Sequence, residues 1–253
     1  MADNPRYDPF HPGVTRAWDA VAGFVADGDL DRYVEAMTAL AKQGDLGQVF
    51  GLTALLNILP AAGRAEEARA IAPLALTVAR AHANPVWIAF ALIGVGRAFA
   101  DTDPTRALDA VRQALVLCQK QRIPYWEARA AFEAAALETV HGDPDTGLDL
   151  FDAAIASYHL AGNRSDLAAV LAALAVFFDR AGPPETAATL YGTTSSYSIT
   201  ARVLNLAATV EHLRTVLGPI VFDEHVAAGA AMEVGDAVAY AREQTQTARS
   251  RLR

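Results

Sequence analysis

Apolar residues recur along this chain at steps of three and four inside segments of about 15 residues, the period of a helix with one buried face. Between the segments stand turn signals at intervals of about 20 residues: Gly44, Gly63, Asn84-Pro85, Asp103-Pro104, Pro124, Asp143-Pro144, Gly162 and Gly182-Pro183. One helix and a short connection fit each interval, so successive helices pair as antiparallel hairpins. The two Asp-Pro pairs lie 40 residues apart, and Pro183-Pro184 follows them by the same step. Two helices therefore make one repeat.

Laid on that period, residues 66–78, 106–118 and 146–158 align, with a weaker copy from 186 onward. Ile71, Val111, Phe151 and Tyr191 share one column, and Ala68, Leu108, Leu148 and Ala188 share another. Asp103 and Asp143 suit the N-cap, with Pro104 and Pro144 at the first helical position, where the missing amide hydrogen does no harm. The alternate segments, 46–59, 86–100, 125–140 and 166–180, are apolar around more of their circumference, as expected of helices sandwiched between layers. No single hairpin buries enough apolar surface to stand alone, and stacking supplies the rest.

These patterns predict an all-α chain, an α-solenoid of antiparallel helix pairs, tetratricopeptide-like, with repeats of about 40 residues. A single helical-repeat domain over 1–253 is expected: capping helices in 1–43 (14–26 and 30–43, broken at Asp27-Gly28-Asp29), regular repeats in 44–198, and closing helices in 199–253, near 201–217, 219–230 and from 234 onward.

Composition narrows the partners. With 53% hydrophobic and 20% charged residues the chain is too apolar to be disordered. A net charge of −8 argues against direct nucleic-acid binding, which rests on clustered Lys and Arg. Residues 1–12 are polar, aromatic and proline-rich where a secretory signal needs an apolar stretch, and the longest apolar run, 86–95, is about half a membrane span. A cytoplasmic protein is expected, with no membrane partner. The single cysteine, Cys118, falls in an apolar helical stripe and reads as a small buried hydrophobe.

Catalytic signatures do not emerge. Lys42 and Lys120 are each followed by Gln, which excludes a P-loop, and Gly94-Val95-Gly96 follows no strand. None of the six histidines lies three or four residues from another, so no zinc pattern forms. Glu211-His212 and Glu224-His225 point about 100° apart on a helix and read as solvated surface, and Ser195 and Ser196 lack a nucleophile elbow. The chain is read as a non-enzyme without cofactor or metal.

Binding is the better expectation, because repeat arrays build grooves lined by the first helix of each pair. Polar residues embedded in those apolar helices are the candidate ligand contacts: Asn57 and Arg97, which share a column, and Glu133 farther along, with Glu138 nearby. Trp126, at the start of its helix beside Tyr125, is the candidate aromatic contact, and Trp87 holds a similar position. Each has a structural alternative: Arg97 can snorkel, the glutamates can face water, and the aromatic residues can be core or staple.

The stretch from about 126 to 244 resembles the C-terminal helical-repeat region of large actinobacterial regulators, the LuxR-type and adenylate-cyclase-linked proteins built around a signal-transducing ATPase. The resemblance is carried by Gly182-Pro-Pro-Glu-Thr-Ala-Ala-Thr-Leu-Tyr-Gly192, by Val210-Glu-His-Leu-Arg-Thr-Val-Leu-Gly218, and by Phe222 to Ala230 leading into Met232-Glu-Val-Gly-Asp-Ala-Val-Ala-Tyr-Ala-Arg242. It implies a sensing or protein-interaction arm that binds a peptide, a partner domain or a small-molecule effector. The ATPase, cyclase and DNA-binding parts are absent from these residues, so the chain is expected to be a split-off region or a free-standing relative, and no site residues transfer. A plain scaffold that assembles other proteins, or itself as a homodimer, is the alternative.

Overall fold

The computed structural model describes residues 29–194 and 206–252, and all regular structure within them is helical. Among the described residues twelve helices follow one another: α1 (Leu30–Ala41), α2 (Asp45–Ile58), α3 (Ala65–Ala81), α4 (Pro85–Phe99), α5 (Pro104–Gln121), α6 (Pro124–His141), α7 (Pro144–Leu160), α8 (Arg164–Ala181), α9 (Pro184–Thr194), α10 (Ala207–Leu217), α11 (Pro219–Ala230) and α12 (Val234–Leu252). The expected helix over 14–26 and the pair Ser195 and Ser196 lie outside the described residues.

The turn chemistry works through side-chain caps. Asp103 Oδ1 accepts the Arg106 amide at 3.1 Å, and Asn84 Oδ1 accepts the Val86 amide at 2.9 Å. Asp143 accepts the Thr146 hydroxyl at 2.6 Å and the amides of Asp145 and Thr146, bonds that hold its carboxyl below the usual range, the hydroxyl foremost. Asn163, formally part of a glycosylation sequon, instead caps α8 by accepting the Asp166 amide at 3.2 Å.

The chain divides into two compact units, 1–126 and 127–253, with the boundary inside the first turn of α6. In the first unit α1 packs on α2, α2 on both α3 and α4, and α4 on α3 and α5. Residues of α4 are buried almost all round, from Ala89 through Ala98, whereas α5 buries one face only, Ala107, Leu108, Ala110, Val111, Ala114 and Cys118. A helix with neighbours on three sides needs apolar residues on three sides, which is the broader hydrophobicity read in residues 86–100.

In the second unit α7 packs on α8, and α8 on α9; α10 and α11 then cover α9, with α10 also reaching α8. Gly229 of α11 and Gly192 of α9 meet where these two helices cross, leaving their backbones in contact. The last helix departs from a simple closing stack: α12 turns back to lie along α7 and touches α9. Its buried residues Ala237, Val238, Ala241 and Thr245 form a narrow seam. Arg242 beside that seam makes a two-pronged pair with Asp152 at 2.6 and 3.0 Å. Arg249, two turns on, bonds Asp145 at 2.9 Å and Asp149 at 2.7 Å. Acidic positions on the outer face of α7 thus find their basic partners on α12.

Candidate functional site

Three of the four sequence candidates come together in the first unit. Asn57, near the end of α2, is 5% exposed, and its Nδ2 donates to the carbonyl oxygens of Thr53 and Phe90, both at 2.9 Å. The second of these bonds crosses to α4, and Gly94 makes room for it. A Cβ on Gly94 would lie 2.8 Å from Asn57 Nδ2 and 2.7 Å from Leu56 Cγ. Asn57 Oδ1 is buried without a hydrogen-bond partner. Half-buried Arg97, one turn beyond Gly94, sends Nη1 to the Asn57 carbonyl oxygen at 3.3 Å. Together these bonds hold α2 against α4.

Phe90, whose carbonyl takes the Asn57 amide, turns its ring to Trp126 at 5.0 Å between centroids and 51° between planes. Trp126 in turn meets Tyr125 edge-on at 5.5 Å. One turn before Phe90, Trp87 meets Phe50 of α2 edge-on at 5.7 Å. Residues three apart share a helix face, so the Phe50–Trp87 pair and the Phe90–Trp126–Tyr125 cluster lie side by side as an aromatic band drawn from α2, α4 and the start of α6. The band is half-buried, and Tyr125 at its end is 48% exposed. Phe50 and Phe90 were not among the sequence candidates. Their spacing of 40 residues, one repeat, was the available signal.

Glu133 lies in the second unit, inside a polar cluster on α6 and α8. Arg129 stands 3.4 Å from Glu133 and 3.2 Å from Asp166, and Asp166 accepts Asn163 Nδ2 at 2.7 Å. Glu138 is 2% exposed and accepts the Asp143 amide at 3.1 Å, which ties the end of α6 to the cap of α7. Neither histidine pairs with its neighbouring glutamate. His212 Nδ1 lies 2.7 Å from Asp179 of α8, and His225 Nδ1 lies 3.2 Å from the Thr189 hydroxyl of α9.

Among the described residues no group of three or more His, Cys, Asp or Glu side chains is placed to hold a metal ion, and no helix is long and apolar enough to cross a membrane. No protein-family model matches the chain, and no curated protein matches it. The functional reading therefore rests on the surface itself. A band of half-buried rings can bind apolar or aromatic side chains, since rigid aromatic residues bury large areas at small entropic cost.

Proposed function

We propose that the chain is a tetratricopeptide-like repeat module that binds a protein or peptide partner, and that it serves as the sensing or interaction arm of a signalling regulator rather than as an enzyme. The observation that carries the binding reading is the aromatic band made of two ring clusters, Phe50 with Trp87 and Phe90 with Trp126 and Tyr125, set side by side on α4 and drawn from three helices that occupy equivalent places in the 40-residue period. Trp87 also packs against the core of Val49, Ala79 and Ala91, and all five rings keep part of their surface open, Tyr125 the most, as interface anchors do. The regulatory part of the proposal is supported by the resemblance of the 182–242 segment to regulator repeats, and the repeat part by the recurrence of capped hairpins.

A photo-crosslinking residue at Tyr125 tests the binding reading. It should capture one discrete partner in the host's lysate. The same residue at Val116, which is 60% exposed on α5, should capture only background. Trp126→Ala should weaken the Tyr125 capture, because it removes the ring against which Tyr125 is held. Equal capture at both positions would overturn the proposal.

A further inference from the structure

The second unit holds a pocket of about 150 Å³ between the end of α8, the 181–183 turn and the last turns of α12. Its apolar wall comes from Phe177, Phe178, Pro183 and Ala248. The two phenyl rings stand edge to face, 5.2 Å apart and 74° inclined. On the α12 side the character changes. Gln244, Thr247 and Arg251 are spaced by three and four residues, so they share one face of that helix and edge the same pocket.

These three side chains hold unused donors. The carboxamide oxygen of Gln244 accepts the Thr186 hydroxyl at 3.3 Å, which leaves its NH₂ end free to donate. Among the described residues, the Thr247 hydroxyl and the Arg251 guanidinium have no hydrogen-bond or ion-pair partner. Neighbouring Arg249, by contrast, is committed to Asp145 and Asp149. One cationic fork and two neutral donors thus border a compartment whose other lining is apolar apart from Thr139, whose hydroxyl is spent on the Ala136 carbonyl oxygen.

Size and charge select the ligand. A space of this volume, about 150 Å³, is large enough for a benzene ring. Aromatic walls in edge-to-face arrangement favour an aromatic guest over an aliphatic one. Arg251 is the one cationic side chain among the described lining residues, and a single guanidinium matches a monoanion better than a phosphate dianion, while its fork suits a carboxylate. We propose that this pocket binds the anion of a small aromatic acid, with the ring against Phe177 and Phe178 and the carboxylate on Arg251, Gln244 and Thr247. Such a ligand would bridge α8 and α12 and so strengthen the docking of the last helix. The site is independent of the aromatic band in the first unit.

Benzoate is the probe, with toluene and acetate as its two halves, titrated into the intact chain by ligand-observed NMR. Benzoate should bind in the millimolar range, and each half more weakly by about tenfold or more. Arg251→Gln, at an exposed position, should weaken benzoate about tenfold and leave toluene unchanged. Ala181→Leu, at an exposed lining position, should occupy the compartment and abolish both. Absence of benzoate binding to the native chain overturns the proposal. So does binding that survives Ala181→Leu, or that ignores Arg251→Gln. Benzoate titration reads residues of α8 and α12 and crosslinking reads Tyr125, so a failure here and a failure of the partner-binding reading can be told apart.

Discussion

Gly229→Ala puts the crossing of α11 over α9 to a direct test. A Cβ on Gly229 would overlap the Thr189 carbonyl oxygen and would lie 3.0 Å from the Thr189 carbonyl carbon and 3.1 Å from Gly192 Cα. The obstacles are backbone atoms, so no rotamer change relieves the clash, and the helices must part by about 1 Å. Overpacking of this kind costs about 3 kcal/mol at the upper end of its usual range. Alanine returns about 1 kcal/mol through its better helix propensity. The net expectation is a loss of about 2 kcal/mol, or about 4 to 8 °C in Tm for a chain of this size. Gly235→Ala is the matched control. It lies in the first turn of α12 with nothing within 4 Å of an added Cβ, so only the propensity gain operates and stability should rise by about 0.5 to 1 kcal/mol. Urea unfolding followed by circular dichroism reads both midpoints. If Gly229→Ala proved as stable as the native chain while Gly235→Ala rose as expected, the close approach of α9 and α11 would be refuted.

Other outcomes follow from features already described. Asn57→Leu gives up two hydrogen bonds but also removes the orphaned Oδ1, so stability should change by no more than about 1 kcal/mol, whereas Asn57→Asp sets a buried carboxylate against two carbonyl oxygens and should cost about 3 kcal/mol at neutral pH by chemical denaturation. Burial pushes the Tyr33 phenol up from 10.0 to about 12. The protonated form is the one the fold favours, so its contribution is fully present below pH 10 and is lost as pH rises through 12, a fall of about 2 to 3 kcal/mol that Tyr33→Phe should abolish in alkaline denaturation curves. A double-mutant cycle on Arg242 and Asp152 should return a coupling of at most about 1 kcal/mol that shrinks in concentrated salt, because both side chains remain partly exposed.

Helix starts were legible wherever a cap is chemically explicit. Asp103-Pro104 and Asp143-Pro144 begin α5 and α7 as read from their residue types, and the segment 219–230 is α11 without adjustment. Helix ends were harder. The expected 66–78 and 106–118 segments run on to Ala81 and Gln121, because Ala83 and Arg122 take left-handed conformations, φ 52° and 54°, that terminate a helix without the customary glycine. The placement of α12 was not readable at all, since its pairs with α7 join residues 90 to 104 positions apart and periodicity carries only local information. At the candidate site, period alone placed Asn57 and Arg97 in one column, and the structure joins them by a hydrogen bond. What period could not show is that the Asn57 amide is spent on the Phe90 carbonyl. The rings, noted singly at Trp87 and Trp126, make a band only when the contacts of Phe50 and Phe90 are added.

The division near residue 126 has a spectroscopic consequence. Trp18, Trp87 and Trp126, and also Cys118, all precede residue 127, so thiol labelling and most of the indole emission report on the first half of the chain, with Trp126 at the boundary. Ellipticity senses helices in both halves. Superimposable unfolding traces from the two signals would mean that the halves melt as one cooperative body, and separated traces would time the opening of each without any engineered reporter.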